Sequence, residues 1–144
     1  DSVEAAAIQA ASYSSSEQLE LFVKDPELLK FFLRGCKDYD SLDEIERQRY
    51  SALMGAIIHR FEAHIVMSDR GLLPGNALDG SVHRLRGTMN MEGTLSWWEK
   101  GKHSFSPRLQ EWVDQELIAV ASKDSFARNP SAESPPNKSL ESDA

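Results

Sequence analysis

Between residues 42 and 73 apolar side chains return mostly at steps of three and four: Ile45, Tyr50, Leu53, Met54, Ile57, Ile58, Phe61 and Ile65. That rhythm lays one apolar stripe along a long helix. Arg47, Arg49, Arg60, Asp69 and Arg70 fall off the stripe. Ser41, with Glu44 three residues on, predicts a capping box at the start. Gly71 and Pro74 predict the end. A helix of this length needs apolar surface from its neighbours, so the shorter helices must fold onto it.

Upstream, residues 1–24 are alanine-rich and lack glycine and proline, which favours helix. Ile8, Ala11, Leu19 and Phe22 fall near heptad spacing, while Ser15 and the serines around it interrupt the seam. This segment reads as a connector helix that packs well only in its C-terminal half. Its beginning either continues into something upstream or pairs with another chain. Asp25-Pro26 restarts the backbone, with aspartate at the N-cap and proline at the first helical position. Leu28, Leu29, Phe31, Phe32 and Leu33 then predict a short helix buried on more than one side, ended by Arg34-Gly35. Residues 36–40 predict a polar turn.

Past Pro74-Gly75, Asn76 is the expected cap of a helix striped by Leu78, Val82, Leu85 and Met89. Gly80 and Gly87 each weaken it by about 1 kcal/mol relative to alanine, and a close backbone approach is expected at Gly87. The chain breaks near residues 90–93, and residues 94–102 form a short helix with Trp97 and Trp98. These two point about 100° apart, so Trp98 is expected in the core and Trp97 partly exposed at an interface. Ser106-Pro107 opens a last helix that faces the core with Leu109, Trp112, Val113 and Leu117. Beyond residue 121 serines and prolines dominate, and too little apolar surface remains to offset chain entropy. The expected organisation is therefore one domain over residues 1–121 and a disordered Ser/Pro-rich tail over 122–144. The fold class is all-α: an irregular bundle of five to six helices around one long central helix. No alternation of apolar and polar residues predicts a strand.

With 144 residues the chain is long enough to build a core without a disulfide or a metal. Its single cysteine, Cys36, has no intrachain partner, which points to a reducing compartment. Lys37 beside it could activate the thiol, but a lone half-buried cysteine is more often inert packing. A net charge of -7 with scattered basic residues argues against nucleic-acid binding. No apolar run approaches the ~18 residues of a membrane span, and no signal-peptide pattern is present.

Chemistry, if any, centres on residues 59–64, His-Arg-Phe-Glu-Ala-His. His59 and Glu62 stand three apart and share a helix face, like a reversed pair from a bundle metal site. The candidate metal ligands are His59, Glu62 and His64, although a site would need further ligands from a facing helix. The plainer reading makes Glu62 a polar anchor paired with Arg84, or with Arg86 or Arg34, and leaves the histidines near the surface. No phosphate loop, nucleophile elbow or Cys/His cluster occurs, and no cofactor is called for.

Asp25-Pro26-Glu27-Leu28, Arg34-Gly35, Leu42 with Glu46-Arg47, Phe61-Glu62, Gly71-Leu72, Trp97-Trp98 and Phe105-Ser106-Pro107 form an ordered series over residues 17–118. The series resembles a large group of uncharacterised bacterial proteins. Those resemble one another in having a short N-terminal transmembrane helix, a helical connector and an all-helical soluble domain. The resemblance implies that Asp1 follows a removed membrane anchor and that the domain lies on the cytoplasmic face of a bacterial inner membrane. It implies no activity. The expected role is a non-enzymatic, membrane-tethered interaction or regulatory module, with a protein partner or a second copy bound through the N-terminal helix. The alternative is a small-ligand or metal-binding sensor or enzyme with a polar site around His59, Glu62 and Arg84.

Overall fold

The computed structural model describes residues 2, 3, 5, 6 and 19–120. The expectations for Ile8, Ala11 and Ser15, and for a tail over 122–144, lie outside those residues. After a helical stretch at residues 19–24 come α1 (Pro26–Lys37), a 3-10 turn (Tyr39–Ser41), α2 (Glu44–Asp69), α3 (Asp79–Met89), α4 (Glu92–Gly101), a second 3-10 turn (Lys102–Ser104) and α5. The last begins as an α-helix (Pro107–Trp112) and widens to π-helical turns over Val113–Ile118. The fold is all-α and irregular, arranged around the long α2; no strand occurs among the described residues.

Helix starts follow local chemistry. The Asp25 carboxylate accepts from Leu28 N at 3.1 Å ahead of Pro26. Ser106 Oγ accepts from Leu109 N at 3.2 Å ahead of Pro107. The capping box of α2 is present but sits two residues later than expected, on Asp43 and Glu46. Glu46 N donates to Asp43 Oδ1 at 2.8 Å, and Asp43 N donates to Glu46 Oε1 at 3.2 Å. Ser41 is committed elsewhere: its hydroxyl donates to Asp38 O at 2.8 Å within the 3-10 turn. Between the two, Leu42 is buried and pins the entry of the chain. At the far end, Gly71 takes φ +69°. Leu72 N reaches Met67 O at 2.9 Å and Gly71 N reaches Ser68 O at 3.0 Å, the paired bonds of a Schellman stop.

The α2 stripe enters the core as Tyr50, Met54, Ile57, Ile58, Phe61 and Ile65. Ile45 does not join it and is 79% exposed. Five residues separate it from Tyr50, which rotates it about 140° off the stripe. On α1 the expectation of burial on more than one side fails at Leu33, which is exposed, while Phe32 is buried. Nor does the helix stop at Arg34-Gly35; it runs on to Lys37, and Gly35 and Cys36 are both buried. Asn76 caps no helix, because α3 starts only at Asp79, after Leu78.

The close approach expected at Gly87 falls instead on Gly93 and Gly35. Among the described residues, nothing outside its own stretch of helix lies within 4 Å of where a Gly87 Cβ would stand. A Cβ at Gly93 would come within 2.7 Å of Cys36 O and Tyr39 N and closer still to Gly35 O; one at Gly35 would meet Tyr50 Cε2 at 2.6 Å. The last carbonyls of α1 therefore rest on the first turn of α4, with the opposite ends of two helix dipoles together. Beneath them Tyr50 Oη lies 2.9 Å from Thr94 Oγ1 and donates to Cys36 Sγ at 3.4 Å. All three residues are fully buried. Burial holds both the Tyr50 phenol and the Cys36 thiol above their ordinary pKa range, so neither ionises in the fold.

Two substitutions separate close contact from mere conformational freedom. Gly93→Ala should lower unfolding free energy by roughly 3 kcal/mol, because backbone atoms cannot step aside. Gly87→Ala should raise it by as much as about 1 kcal/mol through helix propensity alone. Urea unfolding of the two variants beside the parent chain checks both signs.

Candidate functional site

His59 and Glu62 do meet: Nδ1 and Oε2 are 3.3 Å apart on the exposed side of α2. The second carboxylate oxygen accepts from Ser106 Oγ at 3.1 Å, and the His59 ring lies 4.9 Å from that of Phe105. Glu62 thus ties α2 to the start of α5 through a serine, not through an arginine. The expected arginine partners are placed elsewhere. Arg34 pairs with Glu46, Arg84 donates to Ser81 Oγ at 3.3 Å, and Arg86 Nε donates to Glu116 O at 2.9 Å. Arg84 lines a separate hollow of about 180 Å³ with Arg60, Phe22, Ile57 and Leu85. His83 and His103 are exposed. Among the described residues no group of three or more His, Cys, Asp or Glu could hold a metal ion.

Trp97, expected at a surface, is 4% exposed. The two tryptophans do diverge on α4, but that helix is covered on two flanks. Trp97 meets Tyr50 and Phe105 edge-on, each at 6.2 Å between centroids, and donates through Nε1 to Ser51 Oγ at 3.1 Å. Trp98 packs on Phe105 at 5.5 Å and donates to Asp114 Oδ1 at 2.8 Å.

His64 departs furthest from expectation. It is 5% exposed, and its Nδ1 is sealed from solvent with no hydrogen-bond partner among the described residues. The reason is phase: it falls three residues after Phe61, seven after Ile57 and one before Ile65, within the buried stripe. Its ring meets Phe61 edge-on at 5.4 Å and lines a cleft of about 310 Å³. The walls come from α2, the loop carrying Leu73-Pro74-Gly75, α3 and the α-to-π junction of α5. Phe61, Ile65, Leu73, Val82 and Trp112 supply apolar surface; Ser68, Asp79, Arg86 and Glu116 supply polar atoms. The π turn matters to this geometry. Its Glu116 and Leu117 carbonyls accept from Arg86 Nε and from Asn90 Nδ2, the latter at 3.0 Å. Arg86 of α3 and Asn90 at its C-cap thereby hold the widened backbone in place; π turns are frequent at functional sites. Sequence reasoning missed this cleft; the readable signal was a histidine in phase with the core stripe.

In comparisons with protein-family models, curated proteins and solved structures, nothing matches the chain. Among the described residues no helix is long and apolar enough to cross a membrane.

Burial first, and the positive charge of Arg60 second, push the His64 pKa below its ordinary 6.5. The folded state therefore favours neutral imidazole, and the unfolded chain takes up the proton first as pH falls. This stabilisation is complete above about pH 6.5 and is lost as pH drops through the lower folded value. Melting temperature should fall from about pH 7 to about pH 5, ahead of ordinary carboxylate titration. His64→Leu should flatten that limb, which a pH series of thermal melts will show.

Proposed function

We propose that this chain is a non-enzymatic helical interaction or regulatory module that joins another helix along its N-terminal segment. One observation carries the reading. In the helical stretch at residues 19–24, Phe22 turns inward to meet Phe32 at 5.0 Å, while Leu19, Leu21 and Val23 are 51%, 49% and 80% exposed. Apart from the flank where Glu20 pairs with Lys24, the stretch is apolar on more than its packed side, and that leaves surface that a second helix would cover. The sequence resemblance supports a tether in the same place, with this segment leading from a bacterial inner membrane to a domain on its cytoplasmic face. A second copy of the chain is the simplest partner, since the same seam would then face itself across a two-fold axis.

The fold offers less to the alternative of a polar site around His59, Glu62 and Arg84. Glu62 is satisfied by His59 and Ser106, and Arg84 lies across a different hollow.

Sedimentation of the chain across a concentration series should show reversible association. The double variant Leu21→Glu, Val23→Glu should be monomeric and keep the melting temperature that the parent shows when diluted to monomer, because neither side chain is buried within the chain. A photo-crosslinking residue at position 23 extends the test to cells. A monomer at all concentrations that also gives no crosslinked product would refute the reading.

A further inference from the structure

We propose that the cleft beside His64 binds a small monocarboxylate with an aromatic or branched apolar body. The proposal is independent of the helix-association reading and rests on three features of the cleft. Its volume, about 310 Å³, lies at the lower end of the range for small-molecule pockets. Phe61, Ile65, Leu73, Leu78, Val82 and Trp112 give it apolar walls on several sides, with two aromatic rings 6.0 Å apart in a stacked pair, Phe61 and Trp112. An apolar body of one ring or one branched chain matches that lining.

Arg86 supplies the polar recognition. It is half-buried on the α3 wall, and its Nε is spent on Glu116 O. The guanidinium makes no ion pair among the described residues, so its terminal N–H groups remain for a ligand. A planar fork of parallel donors fits a carboxylate better than any other small anion group of single charge. Asp79 and Glu116, both exposed carboxylates lining the same cleft, disfavour a second negative charge on the ligand. They leave room for an α-ammonium group, so a simple acid and an amino acid share the chemistry required.

His64 provides the independent sign that something belongs here. A neutral imidazole that is 95% buried, with one nitrogen lacking a partner among the described residues, is rare in a finished core. Burial, and after it the Arg60 charge, favours the neutral form, so the ring adds no net charge to the lining. It can offer one donor and one acceptor as its tautomer and ring orientation adjust.

The test uses the full chain and three probes of one shape: 3-phenylpropionate, L-phenylalanine and phenethylamine, which lacks the carboxylate. Thermal shift and tryptophan fluorescence should report saturable binding of either or both acids and none of the amine. Whether the acid with or without the ammonium binds tighter identifies the source of the carboxylate. Arg86→Gln should weaken binding roughly ten- to hundredfold, the loss expected for one charge-assisted contact. Because Arg86 also holds the π turn, Val82→Trp serves as a second variant; it fills the cleft from α3 and should abolish binding while leaving the guanidinium intact. The NMR signals of His64 should shift on titration with the binding acid. No response to either acid, an equal response to phenethylamine, or binding that survives Val82→Trp would overturn the proposal.

Discussion

The bundle depends on the place where α1 lies across α4 with no side chain between them. Gly93 admits the last carbonyls of α1, and Gly35 admits the face of Tyr50. A side chain at Gly93 would hold the two helices apart by about the thickness of a methyl group, and one at Gly35 would push the tyrosine from its seat. Its hydroxyl would then leave Thr94 and Cys36 without partners in a dry core, where an unmet hydrogen bond costs on the order of 1–3 kcal/mol. Close packing, a buried polar chain and the register of the long α2 are thus one constraint seen from three sides. The aromatic cluster extends it: Tyr50 touches Phe32, Tyr39 and Trp97, and Trp97 hands on to Trp98 and Phe105.

How much of this was legible depended on whether the information was local. Caps at Asp25 and Ser106 could be read because each needs only an oxygen and a proline one residue later. The stop at Gly71 could be read because a left-handed residue there calls for glycine. The box at the start of α2 could not be placed to the residue, since Ser41/Glu44 and Asp43/Glu46 both satisfy the pattern. The choice was made by a buried Leu42 and by the 3-10 turn before it. Gly87 and Gly93 look alike in sequence, and only the path of α1 distinguishes an open position from a crowded one. For the same reason Trp97 could not be assigned from its own helix: the second flank of α4 is covered by chain segments tens of residues away. The candidate site divides likewise. The His59–Glu62 contact follows from helical spacing, whereas Ser106 reaches Glu62 across 44 positions and no periodicity announces it.

The cleft shows how a fold tolerates a poor local arrangement. A histidine takes a position in the α2 stripe that an apolar residue would fill at lower cost. It is held there by Phe61 and Ile65 on either side, which cannot leave the core. Across from it, α5 abandons regular α-helical bonding, and Arg86 and Asn90 take up carbonyls that the wider turn presents. These are two departures from the easiest structure on facing walls of one hollow, in a bundle whose other helices are conventional. Departures of this kind concentrate where shape serves something besides stability.

Cys36 gives the seam between α1 and α4 a further property. It is the single thiol of the chain and is fully buried, so reagents such as maleimides or glutathione disulfide reach it only when those helices part. Its rate of chemical labelling is therefore a clock for the breathing of that joint, already built into the native molecule and needing no engineered probe.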